Sequence, residues 1–450
     1  MAQLQESKLA VVRQLIERAS DAVVRSLEQA LAGGGNYNDA SEVLFEIVAA
    51  ERKVRRAQGV VFAPVIAPFQ RKERLLPTLQ YPTDLLKCLW RELRQTDAEL
   101  MERVVSAATN PHSDEPSPLL DETCELAASR LLDGAAPITA GRVATLPGGV
   151  EQLAQLLRLA PILRTIIPRL DNWLRNLNGD NVASVRLAFR DAAEICDDGG
   201  LLMMEILSAQ IQEPWQVIRL ISAVMDRPSD SYLAVSELAV FGMRVLADID
   251  MRIEAVKRFD PSGGAEAGRA AAASITVTVH EISEFEQWIT MSRETGWGKR
   301  LFEQKRNLAT AIEARLKEAD AAVGAALPVA SKPFGAKSRR APAKLTDDPS
   351  PMATQKALGL LHFMEGVRSS APMGGFGSFR AKVIEALDER LDYYTEDLID
   401  RLATDAGRRD GPPTARVLAF LDIAAQFIGL VRDPKAAEII RRRSASATAA

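Results

Sequence analysis

Apolar side chains recur at steps of three and four along most of this chain, the spacing that gathers them on one face of an α-helix. The pattern is densest between residues 180 and 259. Val182, Val185, Phe189, Ala192 and Ile195 form one stripe. Asp197-Asp198-Gly199-Gly200 reads as its stop, because glycine accepts the left-handed geometry that closes a helix. Leu201–Ile211 is apolar around most of its circumference, as expected of a helix surrounded by others, and Met203, Met204 and Trp215 read as core filling. Pro214 falls where a first helical residue belongs. After the Pro228-Ser229-Asp230 turn, Ser231–Phe259 predicts one long helix with Val235, Leu238, Gly242, Val245, Ile249 and Val256 along its buried seam.

The same spacing extends in both directions. Leu4–Leu31 predicts a single amphipathic helix, with Leu9, Val12, Ile16, Ala19, Val23 and Ala30 on its stripe and Leu27 beside it. Gly33-Gly34-Gly35 stops it, and Asn38 or Asp39 caps a second helix, Ala40–Gln58, that buries Val43, Leu44, Ile47 and Val48. The short connection predicts an antiparallel pair. Thr83–Ala108 reads as one helix with Leu85, Leu86, Leu89, Leu93, Leu100 and Val104 inward, and Asp121–Leu132 as a shorter one. Residues 110–118 and the Gly/Pro/Ala-rich stretch 134–149 read as surface connections, and 150–177 as two proline-punctuated helical pieces.

Residues 261–268 predict a flexible break. Beyond it, Ile275, Val279, Ile282, Phe285 and Ile289 keep helical steps, which favours a helix over a strand despite the β-branched run Ile275–Val279. Lys299–Val323 predicts a second long helix pairing antiparallel with it. The stretch 327–351 carries five basic residues and five prolines and predicts a disordered linker. Helices near 352–368, 378–405, 413–430 and 434–443 complete the chain, with a loose tail. The expected fold is therefore all-α: a multi-helix bundle of antiparallel hairpins, compatible with an elongated form, with a smaller C-terminal helical domain. The segments are 1–110, a central core 119–260, a long helical pair 265–326, the linker 327–351 and a C-terminal domain 352–443.

Composition narrows the function. A formal net charge of −4 provides no global field for nucleic acid, and no recognition module accompanies the basic patches. Cys88, Cys124 and Cys196, odd in number and widely spaced, fit a reducing cytoplasm. The first ten residues lack a signal peptide's basic region and apolar core. No unbroken apolar run reaches the ~20 residues of a membrane span.

One local feature stands out. Seven basic residues and one acid lie between 52 and 74, around the apolar run Val60–Phe69. Pro64 and Pro68 forbid a regular helix across that run. The segment reads first as a buried extended crossover. Its alternative is a contact with an anionic membrane or a partner protein, made by Arg52, Lys53, Arg55, Arg56, Phe62, Phe69, Arg71, Lys72 and Arg74.

Candidate chemistry is sparse. Gly298-Lys299 lacks the upstream glycine of a phosphate loop, and His280-Glu281 has Glu284 where a zinc-binding helix would place its second histidine. His112, His280 and His362 read as ordinary surface or partly buried histidines, with no metal or cofactor expected. The turn Pro372–Gly377 reads as a flexible hinge with Ser378 capping the next helix. Its alternative is an anion site of Ser378, Arg380 and Lys382 at a helix start. Val417–Val431 reads as a buried helix, or as a partner-binding helix with Asp422 and Gln426 fixing register.

The expectation is a non-enzymatic cytoplasmic adaptor or scaffold that binds other proteins, itself included, through helix faces. The alternatives are a peripheral membrane tether using 52–74, and a small-ligand protein or enzyme with a pocket in the helical core.

Overall fold

The computed structural model describes residues 2–33, 39–70, 79–109, 118–330, 341–404 and 414–449. The fold is all-α, and among the described residues extended pairing is limited to two isolated bridges. The chain divides into two compact units, Met1–Asp226 and Arg227–Ala450, so the division falls inside the segment 119–260. It coincides with the turn before Asp230.

The first unit contains α1 (Ala2–Arg18), α2 (Asp21–Gly33), α3 (Asp39–Phe62), α4 (Leu85–Thr96), α5 (Ala98–Thr109), α6 (Pro118–Leu132) and α7 (Pro137–Val143). It continues with α8 (Gly149–Arg158), α9 (Ala160–Ile166), α10 (Leu170–Arg175), α11 (Gly179–Ile195), α12 (Gly199–Gln210) and α13 (Val217–Val224).

The helix expected over 4–31 is two helices. Ser20 interrupts it and its hydroxyl accepts the Val23 N–H, an N-cap for α2. The interruption resets the helical phase. Val24, not Val23, joins Ile16, Ile47 and Val48 in the local core, with Leu9, Val12, Leu27 and Leu31 against it, while Val23 and Ala30 are exposed. The Thr83–Ala108 helix is likewise divided at Asp97, whose carboxylate accepts the Leu100 N–H at 3.2 Å. Met101 takes the buried position expected of Leu100.

The run 60–69 is buried but not extended. α3 continues to Phe62, and the prolines then start short 3₁₀ turns at 63–65 and 67–69, where a missing N–H is harmless. Phe62 packs edge-on against Trp90 at 5.9 Å, and Phe69 stacks on Tyr81 at 4.9 Å. Each buried ring stabilises the unit by about 1.5–3 kcal/mol. Arg164 donates to the Val60 and Val61 carbonyls and pairs with Asp121, closing the α3 end. The 67–69 turn rests on α12, which is buried almost throughout. At the start of α12 neither Gly199 nor Gly200 is left-handed. They serve close approach instead: a Cβ on Gly199 would lie 1.8 Å from the Ala192 carbonyl oxygen, and one on Gly200 2.6 Å from the Phe189 ring.

Residues 134–149 contain α7, with Thr139 and Val143 buried, rather than a bare surface connection. The carboxylate of Glu92 on α4 accepts the Ile138 N–H (2.7 Å), the Thr139 N–H (3.1 Å) and the Thr139 hydroxyl (2.5 Å). It supplies the cap that the local sequence lacks.

The second unit contains α14 (Asp230–Leu233), α15 (Ala239–Arg258), α16 (Gly264–Trp288), α17 (Gly296–Ala326), α18 (Pro351–Gly366), α19 (Gly377–Thr404), α20 (Thr414–Val431) and α21 (Pro434–Ala449). The 231–259 helix is interrupted at 234–238, leaving Val235 83% exposed instead of in the seam. Asp230, at the start of this stretch, is buried. It begins α14 and its Oδ2 accepts the Ser292 and Gly298 N–H groups, both at 3.2 Å, fixing the connection into α17.

The β-branched run is helical within α16. The expected break at 261–268 is a tight crossing. A Cβ on Gly268 would sit 2.1 Å from the Gly359 carbonyl oxygen, and one on Gly359 2.3 Å from that of Pro261. Accordingly α16 packs chiefly on α18, and α17 on α18, α15 and α19, rather than principally on each other. Residues 331–340 of the expected linker lie outside the described residues. Its flanks are ordered: Val329 bridges Ala343, the Ala330 N–H donates to the Pro342 carbonyl at 2.8 Å, and the Ala343 N–H to Asp397 at 2.8 Å. α20 meets the length and hydropathy expected of a membrane-crossing helix, and in this fold it packs on α18, α19 and α21. The expected loose tail is helical to Ala449.

Candidate functional site

The most pronounced chemistry in the described residues is a cationic surface on the first unit, built where α1 breaks into α2 over α3 and α4. Arg55 on α3 is its pivot. Its guanidinium donates to the Ile16 and Ala19 carbonyls, both at 2.9 Å, and to that of Glu17 at 3.4 Å. It thereby covers the negative end of α1. It also pairs with Glu51 at 2.7 Å and Asp21 at 2.5 Å. Although burial opposes ionisation of Asp21, Lys87 and Arg55 outweigh it and hold its carboxyl below the usual range. Arg52 pairs with Glu28 at 2.7 Å.

Two hollows flank α3. One, of about 470 Å³, is lined by Arg18, Arg55, Lys87, Arg91 and Arg94 with Glu17 and Glu51, over a floor that includes Trp90. The other, of about 610 Å³, is lined by Arg25, Arg52, Lys53, Arg55 and Arg56 with Asp21 and Glu28. Together they gather nine cations and four carboxylates, a local net of +5 in a chain whose formal net is −4.

Of the contact residues expected from sequence, Arg52, Lys53, Arg55 and Arg56 therefore lie together. Phe62 and Phe69 do not join them. They are 1% and 3% exposed, because the 3₁₀ turns direct the apolar run inward, so as folded they offer nothing to a membrane or partner. Arg71, Lys72 and Arg74 lie outside the described residues. Sequence reading missed Arg18, Arg25, Lys87, Arg91 and Arg94. The legible signal was on α4, where Lys87, Arg91 and Arg94 recur at steps of four and three on its exposed face.

The anion site expected of Ser378, Arg380 and Lys382 does not assemble. α19 starts at Gly377, so Ser378 lies within the helix, exposed, rather than in front of it. Arg380 is half-buried and donates to the Met364 carbonyl at 2.8 Å. Burial, reinforced by Arg368, lowers its pKa. Lys382 is exposed. In the preceding turn Phe376 is fully buried and Gly375 takes the left-handed conformation that closes the turn.

A second groove, of about 610 Å³, lies in the second unit between the α16–α17 connection and the turn at Gly374-Gly375. Arg293 stands 6.0 Å above the exposed Phe302 ring there, and Lys305 pairs with Glu286 at 2.6 Å.

Burial pushes the Cys124 thiol up to about 12, and its S–H points to the Val61 carbonyl at 3.6 Å, so it carries no useful thiolate near neutrality. Cys196 is raised by burial and by Asp198 and Asp197. His280 is exposed on α16, His362 is half-buried on α18, and His112 lies outside the described residues. Among the described residues no group of three or more His, Cys, Asp or Glu is arranged to hold a metal ion. Met203 and Met204 are fully buried core residues. Asp422 pairs with Arg441 at 3.1 Å, both exposed, and Gln426 is exposed. No family model matches the chain, and neither a curated protein nor a solved structure is significantly similar to it.

Proposed function

We propose that this protein is a non-enzymatic helical adaptor that holds other proteins through helix faces, in a reducing, cytoplasmic setting. The observation that carries this reading is the outer face of α1. Leu9, Val12 and Ile16 turn inward, whereas Val11 and Leu15, one helical turn apart, are 54% and 63% exposed. An i, i+4 pair of large apolar residues on a solvent-facing helix is the kind of anchor a partner helix uses. The adjoining cationic hollows give such a partner electrostatic steering and register.

The test compares the full chain with a Val11→Asp/Leu15→Asp variant by size-exclusion with light scattering and by affinity capture from lysate with quantitative mass spectrometry. The reading expects self-association or a defined set of captured proteins that the variant loses. A strict monomer whose captured proteins are the same with and without the substitutions would end it.

The membrane reading keeps only its basic half, since the aromatic residues that would insert are buried.

A further inference from the structure

We infer that the hollow between the α1–α2 junction, α3 and α4 is a docking groove for an acidic, extended segment of a partner protein. This deepens the adaptor reading and rests on it for the existence of a protein partner.

Arg55 is committed to the α1 carbonyl end and to Glu51 and Asp21. That commitment matters, because an uncovered α1 C-terminus would direct negative potential across the groove. With it covered, the walls carry Arg18, Lys87, Arg91 and Arg94. Opposite charge reaches most of this set only loosely: Lys87 meets Asp21 at 3.5 Å, Arg94 meets Glu17 at 4.0 Å, and Arg91 attracts Asp84 without a close ion pair. Lys87, Arg91 and Arg94 follow one another along a single exposed helix face, where like charges repel. A chain of carboxylates laid along α4 relieves that repulsion at three points.

The shape and lining choose among anionic macromolecules. The site is a concavity of about 470 Å³, which admits a peptide but which a lipid surface spans without entering. Sequence-tolerant nucleic-acid grooves present aromatic faces for stacking. The aromatic residue lining this one, Trp90, is only 3% exposed and is engaged edge-on by Phe62. Arg91 and Arg94, with planar, bidentate donors, match carboxylates as well as phosphates, so the choice of a carboxylate chain rests on the concavity and the covered aromatic.

The experiment titrates the full-length chain into a fluorescein-labelled oligo-glutamate peptide and follows anisotropy, with an anionic phosphatidylserine vesicle and a single-stranded oligonucleotide as parallel arms. Binding of the peptide that weakens with salt, and that falls roughly tenfold or more in Lys87→Glu/Arg91→Glu, is expected. Lys87→Gln/Arg91→Gln is expected to fall between the two. Both variants alter exposed side chains, and an unchanged thermal melt shows that they fold.

No peptide binding, or equal binding by wild type and a folded charge-reversal variant, overturns the proposal. Tighter binding of the vesicle or the oligonucleotide through the same cations overturns it as well. Because the adaptor reading is tested at Val11 and Leu15, failure at the groove and failure of that reading are read on different variants.

Discussion

In the first unit the charged residues that stand out in the sequence lie on the surface, in hollows open to solvent. In the second unit the charges with the largest structural consequence are single carboxylates inside the core. Asp230 accepts two backbone N–H groups of the α16–α17 connection and α17. Asp248 and Glu281, both nearly inaccessible, share Arg252 between α15 and α16, at 2.9 and 3.6 Å. The outer ion pairs of the first unit's surface, Lys87–Asp21 and Arg94–Glu17, are half exposed, whereas Arg55–Glu51 at its pivot is largely covered. Half-exposed pairs contribute about 0–1 kcal/mol each, whereas removing one partner of a buried set costs several times more. Runs of charge therefore mark solvent-exposed surface, and isolated acids within apolar stripes mark the clamps that hold helices together.

The largest effect should come from breaking a clamp. Asp230→Ala leaves the Ser292 and Gly298 N–H groups without an acceptor in the interior, and a loss of about 3 kcal/mol in unfolding free energy is expected. Urea unfolding followed by tryptophan fluorescence measures it, with hydrogen exchange at 289–300 to localise the opening. Asp230→Asn retains an acceptor and should lose about half as much. A loss under about 0.5 kcal/mol in the alanine variant would place Asp230 with the surface charges instead.

Glu92, buried in the first unit as Glu205 also is, is an exception to the contrast, and it sharpens it. Its carboxylate is buried and caps α7 from a different helix. Glu92→Ala should destabilise by about 2 kcal/mol and release exchange protection at 137–143. Neighbouring Lys87→Glu/Arg91→Glu should change stability by no more than about 1 kcal/mol, while the proposed groove requires it to weaken acidic-peptide binding roughly tenfold or more. If the two variants destabilise equally, position in the core does not separate structural from surface charge here.

These pairs also show what was legible in the sequence. The all-α class and most helix centres follow from local periodicity, which is why the C-terminal helices and the apolar faces of α16 and α20 match expectation, whereas on α11 Val185 and Ala192 are buried as expected but Ile195 is exposed. Interruptions at Ser20, Asp97 and 234–238 were not legible. A stripe continues across a short break with its phase shifted, and only the exchange of Val23 for Val24, or the exposure of Val235, reveals it. The Gly268–Gly359 crossing was read as flexibility because one sequence does not show which backbone lies 2.1 Å from an added Cβ. Glu92 and Asp230 were illegible for the same reason, since their partners lie 46 to 68 residues away. Half of the candidate surface was visible as the run 52–56. The α4 half was missed because its cations, although regularly stepped, are spread among the leucines of the buried face instead of forming a run.

The smallest expected effect is a pH dependence of the second unit. His362 on α18 is half-buried. Burial, aided by Arg269 and opposed by Glu365, lowers its pKa from the ordinary value near 6.5. A histidine with a lowered folded pKa resists protonation when folded and accepts it when unfolded. As pH falls through about 6.5 the unfolded chain therefore binds the extra proton, and stability declines until the folded pKa is passed. Above about 6.5 both states are neutral and the contribution vanishes. His362→Gln should flatten the difference in urea midpoint between about pH 7.5 and pH 5.5. Carboxylates that titrate in the same interval affect wild type and variant alike, so the double difference isolates the imidazole. An unchanged slope would mean that solvent reaches His362 as freely as it reaches the cations on α4. A steeper slope in the wild type would show that even a partly covered charge in this unit is coupled to packing.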